Sequence, residues 1–296
     1  MIKAVFRDGL IVFFFLTVII DVSFAQLPEA NSQFHLINKT FNAKQDQAEK
    51  VEMQSNRDYW KSYISDTKSI LTSPSRWERS DWIKASFILG ITVGLYIYDQ
   101  DIQEWVQENR NDSSDNIASF AKPFGDGRYT LPPLGILYLY GHFYENEKAR
   151  RVSLLSLKSF VISGIFTQAI KFTGHRQRPN SGDPYDTWDG PSFSTDHLSF
   201  PSGHSTAAFS IATVIASEYD DKVLVPPLAY GIATLTALSR VNDNDHWASD
   251  VFFGSAIGYF TAKAIIGLHD SKKDRNFSIL PVINGKQFAL LFSYNF

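Results

Sequence analysis

The chain has 296 residues, enough for one large domain or two small ones. A formal net charge of −3 excludes the basic footprint of a nucleic-acid-binding protein, and the absence of cysteine excludes disulfides and thiolate metal sites. Lys3 and Arg7 offset Asp8 and Asp21, so removal of residues 1–25 leaves the charge unchanged.

Residues 1–25 have a basic start, an apolar run from Leu10 to Ile20 and a small-x-small end at Ser23-Phe24-Ala25. This layout predicts a secretory signal peptide cleaved before Gln26, with an uncleaved anchor as the alternative, and places the rest of the chain outside the cytoplasm. Residues 26–80 form a polar lead-in that ends in an amphipathic helix over Tyr59 to Leu71, where Tyr59, Trp60, Tyr63, Ile64, Ile70 and Leu71 share one face. That face is expected to pack on a core, with a lipid surface as the alternative. Six apolar segments follow, at about 83–98, 129–143, 152–171, 203–217, 223–240 and 247–268, whose lengths predict helices. The polar stretch Asp99 to Arg128 has room for another helix over Ile102 to Glu108, and Pro226-Pro227 suits the first turn of the fifth segment. Residues 271–296 read as a β-hairpin tail around Asn284-Gly285, expected to cover the bundle as an edge. The predicted fold is all-α: a helical bundle of about six core helices over 81–270, with a short C-terminal β-hairpin.

Three groups of residues carry chemistry. Phe200-Pro201-Ser202-Gly203-His204-Ser205 looks like a helix start, where unpaired backbone N–H groups and the helix dipole favour an anion. Gly203 lets the anion approach the backbone, and His204 can exchange a proton near neutral pH. Upstream, a helix ending near Gly174 lets Lys171 and Arg178 converge on one anion, the first as a point charge and the second as a planar fork. Downstream, Arg240 adds a third cation, and His246 and Asp250 stand four residues apart on one helical face. A carboxylate so placed can hold one imidazole N–H and leave the other nitrogen free as a nucleophile. Three cations, a helix N-terminus and two histidines are what phosphoryl transfer without a metal requires. Asp183, Asp186 and Asp189 read as solvated loop carboxylates rather than a cation site, and His175 and His197 lie near the motifs without matching them.

Lys171-x6-Arg178-Pro179, Pro201-Ser202-Gly203-His204 and Ser239-Arg240-x5-His246-x3-Asp250 match in identity, order and spacing. Together they resemble the three signature motifs of the type 2 phosphatidic acid phosphatase family, whose superfamily includes class A acid phosphatases and vanadium haloperoxidases. The resemblance covers roughly residues 80–270. It implies that His246 attacks phosphorus to form a phosphohistidine, that Asp250 orients it, and that His204 protonates the leaving alcohol and then activates water. It implies further that Lys171, Arg178, Ser202, the Gly203 amide and Arg240 bind phosphate oxygens, with no cofactor and with vanadate as an inhibitor. The partner is then a phosphorylated small molecule or a lipid phosphate. The alternatives are a vanadate-dependent haloperoxidase, which the carboxylate of Asp250 disfavours, and a non-catalytic phosphate binder, which needs neither histidine.

A 16-residue helix spans about 24 Å against a hydrocarbon core of about 30 Å. With a mean hydropathy of −0.15, these short segments predict an exported, non-spanning bundle, periplasmic or membrane-associated, with its site outside the cytoplasm and with an integral membrane protein as the alternative. The basic run Lys148-Ala149-Arg150-Arg151 favours a cytoplasmic start for the third segment if it does span. The sequence assigns no oligomeric state.

Overall fold

Each of the six apolar segments forms a helix in the computed structural model, which describes residues 55–194, 198–274, 277–284 and 287–294, with side chains over 55–194 and 198–270. In chain order the α-helices among the described residues are α1 (Arg57–Leu71), α2 (Arg79–Ile97), α3 (Asp99–Glu108), α4 (Asp112–Ala121), α5 (Gly127–Phe143), α6 (Glu147–Gly174), α7 (Gly203–Glu218), α8 (Val225–Asn242) and α9 (Ala248–Asp274). The helix expected near 102–108 is α3, while α4 went unforeseen because its ten residues carry no apolar run. Polar side chains set several starts. Asn56, Asn111, Asp126 and Asn146 each accept a first-turn N–H, and Pro226-Pro227 sits in the first turn of α8 as expected.

Helix α7 is the centre of the bundle and packs against α6, α8 and α9. One core cluster joins Ala208, Phe209 and Ala212 of α7 to Ala233, Ala237 and Val241 of α8 and Val251 of α9. A second joins Leu155 and Ile162 of α6, Val214 of α7 and Ala262, Ile265 and Ile266 of α9. Gly254 and Gly258 let α9 approach α7 closely. A Cβ on Gly254 would lie 2.5 Å from the Ser202 carbonyl oxygen, and one on Gly258 would collide with the Thr206 carbonyl. Buried hydroxyls stitch the same contact: Thr206 Oγ1 lies 3.0 Å from the Gly254 carbonyl and accepts from Thr167 of α6 at 3.1 Å. Gly254→Ala is therefore expected to cost about 1–3 kcal/mol through overpacking, seen as a lower thermal midpoint in detergent; an unchanged midpoint would mean that the helices separate freely.

The α1 face packs in part. Tyr63 and Ile70 lie on the second cluster and the Tyr59 hydroxyl donates to the Leu154 carbonyl at 2.8 Å, but Trp60, Ile64 and Leu71 are exposed. A buried polar staple supplements it, with Lys158 Nζ of α6 2.8 Å from Asp66 Oδ2 and His269 Nε2 of α9 3.1 Å from the same oxygen.

The expectation of short segments holds for α5, α7 and α8, with 17, 16 and 18 residues, and is corrected for the third and sixth segments. Charged residues at their margins continue the helices, so α6 has 28 residues and α9 has 27, lengths of about 40 Å. Among the described residues three helices are long and apolar enough to cross a membrane: Arg79–Ile97, Glu147–Gly174 and Ala248–Asp270. Helix α2 is apolar all round, with Trp82, Ile83, Phe87, Leu89, Val93 and Ile97 exposed and only Thr92 buried. The fold rests on the helices alone: strands pair Phe277–Asn284 with Gln287–Tyr294, but a hairpin covering the bundle is not supported, since side chains there lie outside the described residues. The expected signal peptide also lies outside the described residues.

Candidate active site

His246 lies in the short link between α8 and α9, and Asp250 in the first turn of α9. The His246 Nδ1 stands 3.5 Å from Asp250 Oδ2 and 3.4 Å from Ser199 Oγ. The same carboxylate oxygen accepts the Ser199 hydroxyl at 2.5 Å and the Trp247 N–H at 3.0 Å. Among the described residues no hydrogen bond engages His246 Nε2. Burial pushes the imidazole down to about 3, against the upward pull of Asp250, so it is neutral at neutral pH. A neutral imidazole with one nitrogen held and one free has the electronic form of a nucleophile.

Behind Asp250 stands a layer that motif reading missed. Arg176 is wholly buried, and its Nη1 donates to Asp250 Oδ1 at 2.7 Å and to Ser249 Oγ at 2.8 Å. Its Nη2 donates to Asp99 Oδ2 at 2.8 Å, and Nε and Nη2 both reach the Tyr185 carbonyl. Asp99, the first residue of α3, also accepts the N–H and the hydroxyl of Ser249. The rings of Tyr96, Trp188 and Trp247 surround the guanidinium at 4.7, 5.4 and 5.3 Å from their centroids. A third basic residue between Lys171 and the Arg178-Pro179 pair was the available signal. Its partner Asp99 lies 77 residues away, a separation that no local spacing reveals.

The three expected cations gather around this layer. Lys171, at the end of α6, donates to the Leu198 and Ser199 carbonyls. Arg178 Nη1 lies 3.7 Å from Asp245 Oδ1, and Arg240 Nη2 contacts Asp245 Oδ2, so one carboxylate bridges two of the three. Arg240 also reaches Asp243 at 3.3 Å, and Lys122 Nζ meets the same carboxylate oxygen at 2.9 Å.

Ser202 caps α7, with its Oγ accepting from the Ser205 N–H and hydroxyl, while the Ser202 N–H donates to the Asp250 carbonyl at 2.9 Å. This bond ties the second motif to the third. Gly203 opens the helix, and open space stands where its side chain would be. His204 is held from the far side by the turn Lys122–Gly125: a Cβ on Gly125 would lie 2.8 Å from the His204 Cβ and 2.7 Å from its carbonyl oxygen. Burial pushes the His204 imidazole down to about 4, and the charge of Arg240 pushes in the same direction. The stretch 99–128, which carries no motif, thus supplies Asp99 behind one histidine and a wall beside the other.

Helix α6 ends at Gly174 as expected, but the left-handed cap is His175, with φ 45°. Gly174 is needed for a different reason, because a Cβ there would lie 2.8 Å from the Trp188 ring. His175 is buried, with Nε2 3.0 Å from the Ser194 carbonyl, and Asp189 accepts from Gln177 at 2.7 Å. His197 lies outside the described residues.

Residues 153–274 match the family model described as the PAP2 superfamily. The chain is 44% identical over 61 residues to a lipid A 1-phosphatase from Porphyromonas gingivalis, a stretch covering 20% of this chain and 14% of that protein. It is 26% identical over 224 residues to lipid phosphate phosphatase 1 of Arabidopsis thaliana, covering 62% and 65% respectively. Each match thus spans less than two thirds of the relative's length. Among solved structures, a transmembrane PAP2-type phosphatidylglycerolphosphate phosphatase from Bacillus subtilis aligns with a TM-score of 0.45 at 18% identity, over 72% of this chain and 95% of that one.

Proposed function

We propose, on the match of residues 153–274 to the PAP2 superfamily model, that the chain is a phosphatase that hydrolyses a phosphate monoester, foremost a lipid phosphate, through a phosphohistidine on His246 and without a metal ion. The observation that carries this reading is the buried His246, with Nδ1 turned to Asp250 and no hydrogen bond on Nε2 among the described residues. In the first half-reaction the Nε2 lone pair attacks phosphorus, the P–O ester bond breaks, and His204 in its protonated form gives its proton to the departing oxygen. In the second, His204 takes a proton from water, the hydroxide attacks phosphorus, and the N–P bond breaks to release inorganic phosphate. Lys171, Arg178, Arg240 and the first turn of α7 offset the charge on the phosphoryl oxygens throughout.

A lipid leaving group is favoured by the likeness to a lipid A 1-phosphatase and a lipid phosphate phosphatase and by the three helices long enough to cross a membrane. The ends of α2, α6 and α8 and the starts of α7 and α9 meet at the site, and Lys148, Arg150 and Arg151 sit at the opposite end of α6. That placement supports an integral membrane protein with its site outside the cytoplasm. The test is phosphate release by the purified chain in detergent and EDTA, from p-nitrophenyl phosphate and a lipid phosphate panel. Native release that vanadate inhibits and His246→Ala abolishes is expected, with native protein denatured and held at alkaline pH, where the acid-labile N–P bond survives, carrying phosphate on His246. Equal release by both proteins would overturn the nucleophile, and halide-dependent peroxide oxidation with added vanadate would move the assignment to a haloperoxidase.

A further inference from the structure

The carboxylate of Asp245 lies where the proposed chemistry has no use for an anion. It contacts Arg240 Nη2 through Oδ2, stands 3.7 Å from Arg178 Nη1 through Oδ1, and accepts from Asn180 Nδ2 at 3.3 Å. Arg240 is buried, and its Nε has no hydrogen-bond partner among the described residues. A buried guanidinium with an idle donor has capacity for another acceptor.

We propose that Asp245 is the resident counter-anion of the phosphate site, and that substrate binds by displacing its carboxylate from Arg178 and Arg240. This rests on the phosphatase reading above and adds a competitor within the same site. The backbone of Asp245 is fixed, since its N–H and that of His246 both donate to the Arg240 carbonyl, at 3.0 and 3.2 Å. Displacement is therefore a side-chain rotation, and the partly exposed carboxylate has solvent to enter. The gap of 3.7 Å to Arg178 is longer than a charge-assisted hydrogen bond. A phosphoryl group brings a second negative charge and more oxygens, which can engage Lys171 and the α7 N-terminus as well as both arginines. The carboxylate reaches only the arginines and Asn180 in the contacts it makes here. Between substrates Asp245 keeps the two guanidinium groups in place and partly neutralised, and it weakens every oxyanion by the cost of its own displacement.

The test compares Asp245→Asn and Asp245→Glu with the full native chain in detergent. Vanadate affinity is read by calorimetry and by inhibition of p-nitrophenyl phosphate hydrolysis, with a thermal melt to establish folding. Asp245→Asn is expected to bind vanadate about tenfold more tightly, the gain from removing one partly exposed competing ion pair, while Asp245→Glu stays near the native value. A general loss of structure would weaken binding, so a gain separates competition from damage. Unchanged or weaker binding by folded Asp245→Asn overturns the proposal, as does an equal gain in Asp245→Glu, where the charge remains. Should Asp245→Asn fail to fold, the carboxylate is a structural requirement rather than a displaceable one, which overturns it too. A native chain that neither binds vanadate nor releases phosphate defeats the phosphatase reading and this inference with it; native binding without a gain in Asp245→Asn defeats this inference alone.

Discussion

Arg176→Met is expected to destabilise the protein by about 3–5 kcal/mol or to prevent its accumulation, because it strands two buried carboxylates. Asp99 and Asp250 are both fully inaccessible to solvent, and Arg176 lies between them at 2.8 and 2.7 Å. The penalty comes from the charges left behind rather than from the missing side chain, so removing one of them should restore part of the loss. The double variant Arg176→Met/Asp99→Asn is expected to melt at a higher temperature in detergent than Arg176→Met alone. A double variant no more stable than the single one would mean that the ring contacts of Tyr96, Trp188 and Trp247, not the ion pairs, hold this layer together.

His204→Gln is expected to lower kcat/KM, which reports the phosphorylation of His246 alone, by about 10²–10⁴-fold toward an alkyl phosphate, the range of general acid–base catalysis. The loss should be far smaller toward p-nitrophenyl phosphate, whose leaving group departs as a stable anion without a proton. Equal losses on both substrates would make His204 a structural residue. The same reasoning fixes a pH effect. In the free protein burial and Arg240 hold His204 down at about 4, below its ordinary value near 6.5, so it is neutral at pH 7. An oxyanion on Arg240 offsets that cation and stabilises the imidazolium, so the titration midpoint must rise on binding, and protons are taken up between the free and bound values. Histidine NMR of the chain with and without vanadate should show this rise for His204; a midpoint unmoved or lowered would exclude it as the proton donor to the leaving group.

The motif residues were legible because each depends on local geometry. The four-residue spacing keeps His246 within reach of Asp250, though His246 stands in the link before α9 and not on a helical face as expected, and Ser202 before Gly203 marks a cap whatever surrounds it. The six core helices were legible from apolar runs for the same reason. What could not be read depends on distant pairing. Asp99 meets Ser249 across 150 positions, and Gly125 meets His204 only once α5, α7 and α8 have packed. Helix α4 has too few apolar residues to announce itself, and the full length of α6 was hidden because Lys148, Arg150 and Arg151 look like a loop until Glu218, Asp221 and Asp270 are found to pair with Lys148 and Arg151.

The glycine contact between α7 and α9 bears on how the proposed phosphatase would tell substrates apart. With Gly254 pressed on the Ser202 carbonyl, and the Ser202 N–H bonded to the Asp250 carbonyl, the α7 cap and the Asp250 carboxylate cannot separate without breaking the bundle. That half of the site has one shape for every substrate. Leaving groups of different bulk are then expected to be accommodated opposite it, along residues 182–194, which carry no helix. Exchanging that segment between relatives should therefore change which alcohol is released while leaving the rate of dephosphorylating His246 nearly constant.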